Sequence, residues 1–196
     1  MPGWKTILRT NADGTETRGT FVHAFHNNGG TYHLTTVDIY ADGRIDCISR
    51  GDFKSFRAEV ERGQIRTMLP EGADVVLYPL AQFTATNVNT EPGEARWIGV
   101  DPAEFLKEVA DEIERLNNRP TTLDRCRAAY LAWKQAKTPT ALESLRTAYE
   151  AVPAYNRVFV LGDQDRSDLP IRAALFGGRD AEIYAEFFHN RDGFDE

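Results

Sequence analysis

The sequence predicts an α+β fold, on three observations. Through residues 1–100, apolar residues recur in strand-like runs broken by Asn-Gly and Asp-Gly clusters. From Asp101 onward they recur at helical spacing behind Pro and capping residues. The period changes once, near Asp101. The expected architecture is an antiparallel sheet of about five to six strands with one short helix over 1–100. A helical hairpin and short helices over 101–196 are expected to pack on it as one compact domain.

Gly19 to His26 and Thr31 to Tyr40 flank Asn27-Asn28-Gly29-Gly30, residues that tolerate positive φ and therefore turn a hairpin. Asp42-Gly43 separates Val37–Tyr40 from Ile45–Ile48 and signals the next hairpin. The middle strand carries Leu34 and Tyr40 on one side and Val37 and Ile39 on the other, so both faces should be covered. Asp52 caps a short helix that places Phe53, Phe56 and Val60 on one side and closes at Gly63. Leu69-Pro70-Glu71-Gly72 reads as a turn. Val75–Tyr78 and Leu80–Val88 read as strands broken at Pro79. Asn89 to Glu94 reads as a polar loop and Trp97–Val100 as one more short strand.

In the second half, Asp101-Pro102-Ala103-Glu104 combines an N-cap, a first-turn proline and a capping-box acid. Phe105, Val109, Ile113 and Leu116 then form one stripe. Thr121 or Thr122 starts a second helix bearing Cys126, Tyr130 and Trp133. Thr138-Pro139 starts a third, bearing Leu142, Leu145 and Tyr149 and ended by Pro153. The short loop between them makes these two an antiparallel hairpin. Asp168-Leu169-Pro170 opens a short helix that ends near Gly177-Gly178, and Asp180–Phe188 forms a last one.

Composition narrows the functional classes. The 196 residues are 41% hydrophobic and 27% charged, with a formal net charge of −7, which is ordinary globular composition. Residues 1–70 hold nine Lys/Arg against eight Asp/Glu; residues 71–196 hold fourteen against twenty-two. No cationic stripe exists to displace phosphate counterions, so no nucleic-acid partner is expected. An acidic helical half suits a basic protein partner, although a solvated face gives the same pattern. Cys47, in an expected strand, and Cys126 read as small buried hydrophobes, with a disulfide between them as the alternative. No apolar run is long enough to cross a bilayer, and Met1–Thr10 lacks a charged-then-apolar signal pattern. A cytoplasmic location without a membrane partner is the expectation.

Three segments could carry chemistry. Leu161 to Arg172 places Asp163, Asp165 and Asp168 within six residues, a possible binding loop for a hard cation or other ligand together with Arg172. It lacks the glycine and glutamate of a calcium loop. On the plainer reading Asp168 caps a helix, Asp163 and Asp165 make side-chain turns, and Arg172 pairs with one of these acids. Second, a two-residue loop at Gly29-Gly30 would set His26 directly across from His33, within reach of one metal ion. A loop centred on Asn28-Gly29 would separate them, and two histidines without a third ligand make a weak site. Third, His23, Asp38, Tyr32 and Tyr40 share one sheet face and offer an imidazole, a carboxylate and phenols for acid/base work. Ordinary half-buried sheets carry the same mixture. No phosphate-binding glycine loop, G-x-S-x-G elbow, C-x-x-C or H-E-x-x-H occurs, and no cofactor is expected.

Several strings belong together: Tyr40-Ala41-Asp42-Gly43-Arg44-Ile45-Asp46-Cys47, Leu69-Pro70-Glu71-Gly72-Ala73, Phe83-Thr84-Ala85-Thr86, and Asp111-Glu112-Ile113 through Arg125-Cys126-Arg127. With the Leu161–Arg172 segment they resemble a bacterial family of small proteins described as a domain of unknown function, over residues 18–177. The resemblance implies a bacterial or phage-related cytoplasmic origin and brings no activity with it.

Two functions compete. An interaction module, such as an immunity protein, inhibitor or defence-related regulator, fits the small size, the acidity and the missing catalytic motifs; its partner would be another protein, held partly by opposite charge. The alternative is a small-molecule hydrolase or transferase using the sheet-face cluster or the 163–168 loop.

Overall fold

The computed structural model describes residues 6–70, 72–78, 81–84, 101–162 and 168–189. The chain divides into two compact units, Met1–Arg119 and Pro120–Glu196. The first unit extends past the change of period near Asp101. The reason is α2 (Pro102–Leu116), whose Phe105, Leu106 and Val109 share a buried cluster with Ala24, Val37, Ile39 and Ile45 of the sheet.

The first unit is built on one long hairpin. β2 (Glu16–Asn28) and β3 (Thr31–Tyr40) pair antiparallel from Gly19↔Tyr40 to Asn28↔Thr31. The two-residue loop Gly29-Gly30 closes it with φ of 62° and 98°, values that only glycine adopts freely and whose twist matches the flanking strands. The hairpin forks at its two ends. Toward Tyr40 it is flanked by β1 (Ile7–Thr10) on β2 and by β4 (Arg44–Asp46) on β3, with β5 (Arg50–Asp52) beyond β4. Toward the tip, β6 (Ile65–Arg66) pairs with β2, while β7 (Asp74–Tyr78) lies parallel to β3 and antiparallel to β8 (Ala81–Thr84). The α+β fold read from sequence holds: among the described residues the sheet has eight strands, all antiparallel but for the one pairing of β3 with β7. β1, β5 and β6 are only two to four residues long, too short to show a period. The strand expected over Ile45–Ile48 ends at Asp46, and Cys47 lies in the bend that follows. The segments Asn89–Glu94 and Trp97–Val100 lie outside the described residues.

One sheet face is covered by α1 (Phe53–Glu61) and α2. The side chain of Asp52 accepts the Ser55 N–H at 2.8 Å and caps α1, which buries Phe56 and Val60. The Phe56 and Phe105 rings meet edge to face at 6.1 Å, a geometry that adds to area burial. Asn117 Nδ2 donates to Ala41 O at 2.6 Å, pinning the C-terminal end of α2 to the β3–β4 turn. The opposite face buries Phe25, Tyr32, Ala73 and Val75 near the hairpin tip.

The second unit is helical. α3 (Thr122–Ala136) begins with a reciprocal capping box between Thr121 and Asp124, and α4 (Pro139–Ala151) with Thr138 as its N-cap. They pack as the expected hairpin around Cys126, Tyr130, Leu145 and Tyr149. A 3-10 turn (Ala154–Phe159), α5 (Leu169–Phe176) and α6 (Gly178–His189) follow, with Val160, Ile171 and Leu175 joining the same core. Both cysteines are free thiols, Cys126 fully buried, so the disulfide alternative is not realised. No helix among the described residues is long and apolar enough to cross a membrane.

Gly19 is the tightest point of the hairpin. A Cβ there would lie 2.7 Å from both Ile39 O and Tyr40 Cδ1. Backbone cannot yield as a flexible side chain would, so Gly19→Ala is expected to cost about 1–3 kcal/mol in urea unfolding.

Candidate binding surface

The register of β1 to β5 lays polar and aromatic side chains on the sheet face opposite α1 and α2. Arg9 lies across from Thr17, Ile7 from Gly19, Gly19 from Tyr40, Phe21 from Asp38, and Asp38 from Asp46. Because Gly19 has no side chain, the Tyr40 ring settles across it, and the Arg9 guanidinium stacks on that ring at 4.6 Å. Arg9 Nη2 donates to Asp42 Oδ2 at 2.5 Å and to Asn11 Oδ1 at 3.0 Å. Its Nη1 is buried and meets no acceptor among the described residues. Burial pushes Asp42 up, but the Arg9 hydrogen bond and the Arg44 backbone N–H outweigh it and hold the carboxyl below its ordinary value.

Two carboxylates face each other beside this stack. Asp46 is satisfied, accepting from Arg44 Nε at 2.8 Å. Asp38, half-buried, accepts no hydrogen bond and joins no ion pair among the described residues. Burial first, and the charge of Asp46 second, raise its carboxyl above the ordinary value. Burial, followed by the charges of Asp38 and Asp46, raises the Tyr40 phenol as well. Like charges directly opposed across strands oppose folding. The arrangement leaves a half-buried acceptor short of a cation.

The four residues expected to form an acid/base set do share this face, but they do not converge. His23 lies across from Thr36, is exposed, and meets the Phe21 ring edge-on at 5.5 Å without a hydrogen bond to Asp38. Tyr32 pairs with Asn27 near the hairpin tip and is buried with Phe25 and Val75. Eight residues of strand separate it from Tyr40, roughly 27 Å at strand rise. Arg9, Arg44 and Asp46 were not singled out from sequence. The three-residue loop Ala41-Asp42-Gly43, with Gly43 at φ 82°, sets Ile39↔Ile45 and hence Asp38↔Asp46, and that loop length is the signal which could have found them.

The other expected residues lie elsewhere. His26 and His33 are directly opposed on the face that α1 and α2 cover. Asp168 precedes α5 without capping it; its buried carboxylate instead accepts the Tyr149 hydroxyl at 2.9 Å. Burial, then this bond, raises the Tyr149 phenol far above its ordinary value. Arg172 Nη2 binds Asp180 Oδ1, in the first turn of α6, at 2.7 Å. Asp163 and Asp165 lie outside the described residues.

The Asp38 carboxyl, raised in the folded state, holds its proton more tightly there than in the unfolded chain, so ionising it destabilises the fold. That penalty is absent below the unfolded value near 3.8 and complete above the raised value. Asp38→Asn is therefore expected to exceed the parent in stability at pH 7 by about 0.2–1 kcal/mol, the range for opposed like charges. Urea unfolding should show the two converging at pH 3. In the second unit, Tyr149→Phe leaves a buried carboxylate without its donor, and a loss of about 1–3 kcal/mol by chemical denaturation is expected.

The comparisons with known proteins divide the chain at the same place as its packing. The family model described as Domain of unknown function (DUF7638) matches residues 7–120. The one described as Domain of unknown function (DUF7639) matches residues 121–191. No curated protein and no solved structure matches the chain. With more than half its length matched by the first model, the chain belongs to the DUF7638 family.

Proposed function

We propose that the chain is a protein-interaction module of the immunity, inhibitor or regulatory kind, acting in a bacterial cytoplasm. Its docking surface is the sheet face around Asp38, and its partner presents a lysine or arginine there. The observation that carries this reading is Asp38 itself, a half-buried carboxylate set against Asp46 and lacking a partner among the described residues. A group that weakens the fold where it stands is the usual mark of a surface adapted to bind. A cationic side chain would relieve the Asp38 carboxylate, and Phe21 supplies an apolar flank such a side chain packs along. The net charge of −7 adds long-range attraction for a basic partner.

The enzymatic alternative has less support in its sheet-face form. Its imidazole and carboxylate make no hydrogen bond to each other, and its two phenols lie at opposite ends of β3. Nucleophile and base need hydrogen-bond reach for proton transfer.

The test is capture of partners from source cells with the tagged full chain and with Asp38→Asn/Asp46→Asn, followed by quantitative and native mass spectrometry. One protein should be recovered in stoichiometric amount by the parent, released as salt rises, and recovered about tenfold less by the variant, equivalent to about 1.4 kcal/mol. Recovery indifferent to both salt and substitution would overturn the docking surface. A bare chain carrying a small-molecule mass would favour the enzyme instead.

A further inference from the structure

His26 and His33 form the third residue pair from the Gly29-Gly30 turn and lie directly opposite each other on the same face of the hairpin. Opposed strand residues hold their Cβ atoms about 5 Å apart. Two imidazoles rooted at that spacing can converge on one ion at the usual metal–nitrogen distance of about 2.0–2.1 Å. Their row across the sheet is Ile65, His26, His33 and Val76. Ile65 is buried and Val76 half-buried, so the pair is bracketed by apolar neighbours. Both histidines are half-buried, and neither imidazole hydrogen-bonds to a described residue.

We propose that His26 and His33 together chelate one divalent transition-metal cation of the copper, nickel or zinc type across the tip of the β2–β3 hairpin. Imidazole is a favoured ligand of these ions. Among the described residues no group of three His, Cys, Asp or Glu side chains is placed to hold a metal. The described residues therefore supply two ligands, and water completes the coordination sphere. Burial, and next the nearby His33, lower the His26 imidazole below its ordinary value. Glu59 of α1 acts on His26 in the opposite sense, and its carboxylate accepts a hydrogen bond from the Ser49 hydroxyl. The negative charge of Glu59 favours a cation at this imidazole. This proposal is independent of the docking surface, which lies on the other face.

The experiment is a copper(II) titration of the full chain at neutral pH, read by calorimetry and by electron paramagnetic resonance. One equivalent should bind with the signature of two imidazole nitrogens. His26→Asn and His33→Asn should each weaken binding at least about tenfold, while His23→Asn, on the opposite face, should leave it unchanged. Equal affinity in the parent and in either of the first two variants would overturn the proposal, as would the absence of a stoichiometric site in the parent. A second measurement needs no variant: zinc(II) added to the parent should shift the imidazole nitrogen resonances of His26 and His33 and spare that of His23. Unshifted His26 and His33 resonances would overturn it equally.

Discussion

Everything in the first unit depends on the register of β2 against β3. Side chains alternate along a strand, so a slip of β3 by one residue against β2 would carry Val37 and Ile39 out of the core and turn Asp38 toward it. The two glycines of the tip loop and the contact of Tyr40 with Gly19 fix that register from both ends. Once it is set, one face of the hairpin must be the one that α1 and α2 cover, and the other must carry the Arg9–Tyr40 stack and the paired carboxylates.

Much of this was legible in the sequence because local chemistry and tertiary demand agree. Asp52, Asp101, Thr121 and Thr138 announce helices that do begin at those residues, since each side chain satisfies an otherwise orphaned backbone N–H. The opposition of His26 and His33 also followed once the loop was read as Gly29-Gly30. What could not be read was set by partners distant in the chain. β6 is two residues long and is a strand only because β2 lies beside it, and β7 pairs parallel to β3 for a reason no local pattern states. The helix that begins at Asp101 gave no sign from its own stripe that it belongs with the sheet.

The candidate sites show the same division. Shared faces follow from counting alone, which is why His23, Asp38, Tyr32 and Tyr40 do lie on one side of the sheet. Convergence needs two dimensions, and spacing along β3 separates Tyr32 from Tyr40 however their side chains point. Asp168 looked like a capping residue because helix starts favour aspartate; burial beside Tyr149 gave it a hydroxyl partner instead. Arg172 of α5 pairs with Asp180, in the first turn of α6.

The forked sheet has a consequence for how the chain comes together. β2 meets β3 across a loop of two residues, whereas the parallel pairing of Thr31 with Asp74 closes a loop of roughly forty. Closure entropy grows with the logarithm of loop length, so joining β7 to β3 in an open chain costs about 2–3 kcal/mol more than zipping the hairpin. With β2 and β3 already paired, β7 meets a formed edge instead of a free strand, and one side of its ladder is prepaid. The same two strands that carry both candidate sites are therefore the natural template on which the distant segments assemble.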